Sequence, residues 1–186
     1  RLATLSQSDS ERKEREVMEM AKAVLISIRP EWVKKILDGE KTLEVRKTRP
    51  NLETPFKCYI YCTLGGLKHP FGKVFGGRVV GEFSCDCVTW LSHIWVAGIA
   101  GLRMVAMAKR HTIDASFDFA GSCLTAPEIY RYLDGEDGYA WHISHLKIYD
   151  TPKPLSAFTR LRGTKFGCAP VEIKRPPQSW CYVEEL

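Results

Sequence analysis

Val24, Leu25, Ile26 and Ile28 crowd into five residues rich in β-branched side chains, which predicts a buried strand. Arg29-Pro30 then turns the chain. A proline at the first helical position, with Val33, Ile36 and Leu37 on one stripe, predicts a short amphipathic helix. Gly39 suits the left-handed residue that ends such a helix. From Thr42 to Arg46 polar and apolar positions alternate with a period of two. A second strand is predicted there, with Leu43 and Val45 facing a core and Thr42, Glu44 and Arg46 facing the other way.

Further along, 57–63 and 78–88 read as strands, the first alternating aromatics with cysteines, the second carrying Val80, Phe83 and Val88 around Gly81. Gly65-Gly66 and Gly76-Gly77 mark turns. The region 90–123 fits no single pattern: 94–109 has a helical composition in a place where an irregular insertion is equally acceptable. Pro127 opens a second short helix over 128–133, closed by Asp134-Gly135. Strand returns over 139–149, and Thr151-Pro152-Lys153-Pro154 is expected to end it in a rigid turn. The segment 160–177 reads as a basic, proline-bearing loop, and 180–183 as the last strand. Short strands with two helices among them predict an α+β fold closing into a small mixed β-barrel, because closure removes exposed strand edges.

A length of 186 residues, 45% hydrophobic and 11% aromatic, suits one domain with a real core. The polar segment 1–19, with Ser8 and Glu11 in capping-box spacing, reads as an appendage to a single domain over 20–186 that carries an insertion around 90–123. No apolar stretch reaches the roughly 18 residues needed to span a bilayer, and the start lacks a signal-peptide layout, so a cytoplasmic protein with no membrane partner is expected. A net charge of +5 suits a polyanionic partner without requiring one. The seven cysteines are an odd number without paired knuckle spacing. Most are expected to be reduced and packed, holding no metal.

A strand followed by Arg29-Pro30, an amphipathic helix ending in Asp38-Gly39-Glu40-Lys41-Thr42, and then Leu43-Glu44-Val45-Arg46 resembles the signature of the ASCH domain, of the PUA-like superfamily, over residues 24–47. The order of elements and the closing Trp180-Cys181-Tyr182-Val183 strand resemble the long ASCH proteins of bacteria and their phages. The resemblance implies a small barrel with a cleft beside the first helix that binds RNA or modified nucleosides, with no cofactor. Some members are amidohydrolases that remove an acyl group from N4-acetylcytidine, and others have been described as ribonucleases. The amidohydrolase lysine falls on Lys41 and the strand arginine on Arg46. The position of the nucleophilic threonine is Glu44 here, a poor substitute for an alkoxide in acyl transfer. Glu128 is the nearest candidate for that family's catalytic glutamate.

The candidate site is therefore Lys41, Glu44 and Arg46, in which two cations flank a carboxylate able to accept from a nucleobase amine. Arg29, at a strand-to-helix junction, would add an anion pocket. Lys47 extends the basic stripe along which a nucleic-acid backbone could run. Trp32, Trp141 and Trp180 are the candidates for stacking, worth about 1–3 kcal/mol per base. His142 and His145 lie three apart on a predicted strand, hence on opposite faces, and do not suit a shared metal. The expectation is an RNA or nucleotide-like ligand held in a basic cleft. Its rivals are a hydrolase of the same fold, an amidohydrolase or ribonuclease with Lys41 and Glu44 catalytic, and a phage-related protein-interaction module. The bland alternative is a solvated strand face with weak cross-strand ion pairs.

Overall fold

The computed structural model describes residues 23–64, 70–94, 103–108, 111–116, 119–164 and 167–186. The expected appendage 1–19 and the Gly65-Gly66 turn lie outside them. Among the described residues no helix is long and apolar enough to cross a membrane.

The chain opens with strand β1 (Ala23–Ile28), helix α1 (Pro30–Leu37) and strand β2 (Leu43–Arg46), followed by β3 (Phe56–Cys62), α2 (Pro70–Phe75) and β4 (Arg78–Cys85). A meander of β5 (Val88–Ile94), β6 (Arg103–Ala108) and β7 (His111–Ser116) precedes α3 (Ala126–Leu133). Strands β8 (Gly138–His142), β9 (Ser144–Pro154), β10 (Thr159–Thr164), β11 (Gly167–Glu172) and β12 (Trp180–Val183) complete the fold. Two five-stranded sheets result, ordered β12-β1-β3-β4-β9 and β2-β8-β5-β6-β7, with β10-β11 as a separate hairpin. Strands β1 and β3 are parallel, and α1 with β2 forms the crossover between them.

Every residue of β1 is buried because both faces of its sheet are covered. Val24, Ile26 and Ile28 join a cluster with Val33 and Ile36 of α1, Cys58 and Ile60 of β3, Phe83 of β4 and Trp141 of β8. Ala23 and Leu25 point into a second cluster with Tyr59, Phe158 and Val183. Trp141, fully buried and edge-on to Phe56 at 5.7 Å, brings the second sheet against the first. On the far face of that second sheet α3 packs Ile129 and Leu133 against Val45, Leu91 and Ala140.

The α+β architecture is as the sequence predicts, but the barrel is not closed: the sheets are open. The reason lies where the chain changes sheet, at Asp86-Cys87 between β4 and β5 and at Ile143 between β8 and β9. His142 clamps the two crossings, its backbone N–H donating to Cys87 O at 2.9 Å and its Nδ1 lying 2.6 Å from Asp86 Oδ1. The single strand expected over 78–88 is therefore broken. In place of helix, the described part of 94–109 continues β5 and forms β6, paired as a meander with β7.

The prolines near 151–154 do not end β9, since Lys153 and Pro154 still pair with Val79 and Arg78. Strand β9 is the edge of its sheet, where a missing N–H is tolerated. The loop expected over 160–177 is in its first part the hairpin β10-β11, in register from Thr159↔Glu172 to Thr164↔Gly167. Helix α2 had no counterpart in the sequence reading.

Register shifts interrupt the pairing on both sides of β4. A Cβ on Gly81 would lie 2.6 Å from Lys147 O and 3.4 Å from Ile148 Cα, both main-chain atoms that cannot swing aside. Gly81→Ala is expected to lower stability by about 2 kcal/mol, read from the urea midpoint. A midpoint equal to that of the unsubstituted protein would show that β9 can retreat freely.

Candidate functional site

The C-terminal end of β1, the start of α1, β2, α3 and the strap over 173–179 enclose a cavity of about 780 Å³. Local geometry delivers Lys41 to it. Gly39 at φ 76° ends α1, and Lys41 N–H closes back onto Lys35 O at 3.0 Å. The Lys41 side chain is only 3% exposed as a residue, and its ammonium donates to Leu43 O and Ser122 O, both at 2.7 Å. It also stands 3.4 Å from Glu44 Oε2 and 5.4 Å from the centre of the Trp32 ring.

Ser122 belongs to a 3-10 turn, Ala120–Ser122, docked on the start of β2. Thr42 N–H donates to Gly121 O at 2.8 Å, and a Cβ at Gly121 would lie 2.4 Å from Thr42 Oγ1. The buried Ser122 hydroxyl donates to Phe119 O at 2.7 Å and accepts from Leu124 N–H at 3.1 Å. This turn aims the Ser122 carbonyl at Lys41.

Glu44 takes the centre. Its Oε1 accepts from Arg46 Nη2 at 2.9 Å, while Arg46 Nη2 also donates to Ser27 O at 2.7 Å and Nη1 reaches Ser179 Oγ at 3.3 Å. Arg46 Nε is buried with no acceptor among the described residues. Glu44 and Arg46 are each 7% exposed, so the alternation in β2 separates two buried faces and not a core face from a wet one. Val45 lies under α3, and Leu43 is half-buried. Glu44 pairs across the sheet with Trp141, and Arg46 with Tyr139, which turns the charges toward the space between the sheets.

Of the candidate residues, Arg29, Trp32, Lys41, Glu44 and Arg46 line this one cavity. Arg29 is exposed at the rim and Trp32 half-buried in the wall. Lys47 is exposed and lies outside the lining. Trp141 and Trp180 also lie outside it. Trp141 is fully buried, 6.0 Å from the Trp180 ring, and Trp180 Nε1 donates to Thr48 Oγ1 at 3.1 Å. Trp141 is core beneath the site, and Trp180 is half-buried and packs against the same apolar cluster.

The sequence reading missed Tyr132, Ser179 and the Pro176-Pro177 strap. Tyr132 had a signal: it stands one helical turn from Glu128, which also lines the cavity, so both lie on one flank of α3. Burial pushes the Tyr132 phenol above its ordinary value, with Arg46 and Arg29 pulling against the rise. Glu128 is tied into the α3 capping box, its Oε2 accepting from Thr125 N–H at 2.8 Å and Thr125 Oγ1 at 2.7 Å. Those bonds hold its carboxyl below the usual range. His142 and His145 do not line the cavity. The thiols of Cys58, Cys62 and Cys85 are buried in the central cluster, where burial raises Cys62 to about 11 and Cys85 to about 12, so they pack as protonated apolar groups.

No protein-family model matches the sequence, and no curated protein matches it. The structure is similar to crystal structures of ASCH from Zymomonas mobilis. A single-residue variant of that protein superposes with a TM-score of 0.50 at 18% identity, covering 88% of this chain and 91% of that one. The unsubstituted protein gives 0.49 at 19% identity, with 88% and 89% covered. At such identity the likeness is one of fold: this chain shares the mixed α+β fold of that ASCH structure.

Desolvation decides the energetics of the site. Glu44→Gln would leave two buried cations without their carboxylate and is expected to cost about 3–5 kcal/mol in denaturant unfolding. Asp38→Asn is the control, since Lys34 and Asp38 pair with side chains 51% and 41% exposed. Breaking that pair should cost at most roughly 0.5 kcal/mol. Equal small losses would mean that water reaches Glu44.

Proposed function

We propose that the chain binds RNA or a modified nucleoside in the cavity around Lys41, Glu44 and Arg46. The observation that carries this reading is the convergence of three desolvated charges and two aromatic side chains, Trp32 and Tyr132, on one opening. Its volume falls within the roughly 300–1,000 Å³ of small-ligand sites, ample for a nucleoside. Each group has a matching part of such a ligand. A base plane lies against Trp32 or Tyr132. An exocyclic amine donates to a free lone pair of Glu44, and Arg29 at the rim receives a phosphate or a carbonyl oxygen. Arg46, with a buried N–H lacking an acceptor, favours a ligand or a water that brings oxygen.

Binding is favoured over hydrolysis by the state of Lys41. Its ammonium is committed to two carbonyl oxygens and a carboxylate, which leaves no free amine for proton transfer or attack. Glu44 stands where an amidohydrolase would need a hydroxyl.

A thermal-shift screen of modified nucleosides and short single-stranded RNAs, followed by titration and product analysis, tests this reading. Saturable stabilisation is expected, with Trp32→Ala weakening affinity about tenfold through lost stacking. Appearance of a deacylated base or of cleaved RNA, abolished in Glu44→Gln, would replace binding by the hydrolase reading. A screen in which no nucleoside or RNA shifts the melting temperature would sink both.

A further inference from the structure

A second cavity, of about 410 Å³, opens beside the first. Its charged lining is mostly cationic: Arg160 from β10 with Lys174 and Arg175 from the strap, against the single acid Glu172. All three cations are exposed, and among the described residues none is held in an ion pair. Cys181 also lines the cavity; burial raises its thiol to about 11 while the Arg160 guanidinium pulls it down.

Pro176 and Pro177 line both cavities and so form the ridge between them. The ridge is fixed on each side. Ser27 Oγ donates to Pro177 O at 2.6 Å, Ser27 N–H donates to Ser179 O at 2.9 Å, and Arg46 holds Ser179 from within the first cavity. At the other end Ile173 is buried, with its N–H directed at Phe158 O at 3.4 Å. Lys174 and Arg175 therefore ride on a strap anchored before and after them, with two prolines restricting its φ angles. Three cations against the one acid Glu172 give this cavity a cationic lining, and Lys174 and Arg175 are carried on main chain that is fixed before any anion arrives.

We propose that the second cavity holds the phosphodiester of the nucleotide next to the one whose base occupies the first. The ligand is then a single strand of RNA crossing the Pro176-Pro177 ridge, and not a free nucleoside. This inference rests on the reading of the first cavity as a nucleobase site. It adds a separate group of residues, Arg160, Lys174 and Arg175, as backbone contacts.

The test compares the full chain with its triple variant Arg160→Gln, Lys174→Gln, Arg175→Gln, which alters exposed side chains only; equal melting temperatures verify the fold. Three probes are used, a fluorescein-labelled unstructured RNA of about 12 nucleotides, cytidine 5′-monophosphate and inorganic phosphate. The triple variant is expected to bind the RNA at least about tenfold more weakly, with a log–log salt slope smaller by about 0.7, since contact with one phosphodiester is removed. The mononucleotide, confined to the first cavity, should bind both proteins alike. Undiminished RNA affinity in the triple variant overturns the proposal, as does an equal loss for both nucleotide probes, which would reflect general charge and not a second subsite. Inorganic phosphate bound by the wild type and lost in the variant, with RNA affinity unchanged, would make the cavity a free-anion site and also overturn it. Failure of the wild type to bind either nucleotide probe marks the failure of the first-cavity reading itself, and this inference falls with it.

Discussion

Glu44, held between Lys41 and Arg46 and almost wholly buried at the base of the cavity, is the constraint around which the rest of the molecule is arranged. Desolvation costs several kcal/mol per ion, and the mutual attraction of three charges offsets that only when the remaining donors are also satisfied. Main-chain oxygens meet most of them, Leu43 O and Ser122 O for Lys41 and Ser27 O for Arg46, while Arg46 Nε has no acceptor among the described residues. Those oxygens come from β2, from the turn before α3 and from β1. Three separated stretches of chain are thus bound to one carboxylate. An apolar substitute of the same volume could match its stability, so what the charges contribute is a fixed arrangement.

The surrounding core explains why that arrangement stays fixed. Trp141 and Tyr139 stand opposite Glu44 and Arg46 in the β2-β8 ladder, and the Trp141 ring is locked against Phe56 and Trp180. Interiors packed to crystal-like density transmit displacement and resist it. The floor of the cavity is consequently the edge of the apolar core, whereas Arg29 and Tyr132 at its mouth remain partly in water. Rigid charge below and exposed aromatic and cationic groups above make a site that can order a ligand without reordering itself.

How much of this was legible in the sequence depended on whether the deciding partner was local. The unit β1-α1-β2 was plain because Pro30, Gly39 and the alternation from Thr42 are all signals within a few residues of their effect. Lys41, Glu44 and Arg46 were found for the same reason. Their burial was not, since the atoms that satisfy them are backbone carbonyls, which any residue type supplies, brought from far along the chain. Proline misled twice. Pro152 and Pro154 read as a stop but lie on an edge strand, and Pro170 read as loop but pairs with Leu161 in the hairpin. Trp141 and Trp180 could not be told from cavity-lining rings, because strand alternation says that a side chain faces inward without saying whether core or cavity lies there.

The same electrostatics bear on whether such a site reads a ligand or transforms it. General acid–base work needs a group that can change protonation as the reaction proceeds, with its proton directed at substrate. For Lys41 to serve, one of its bonds to Leu43 O, Ser122 O or Glu44 would have to be released, and hydrogen bonds to charged groups are worth about 1.5–3 kcal/mol each. For Glu44 to serve as a base, it would have to give up charge that two buried cations require. A ligand that only accepts from Arg46 or donates to a spare lone pair of Glu44 demands neither change. Static charge of this kind discriminates by the cost of leaving a buried group unpaired, which is how a polar cavity rejects a near-isostere lacking the matching amine or carbonyl.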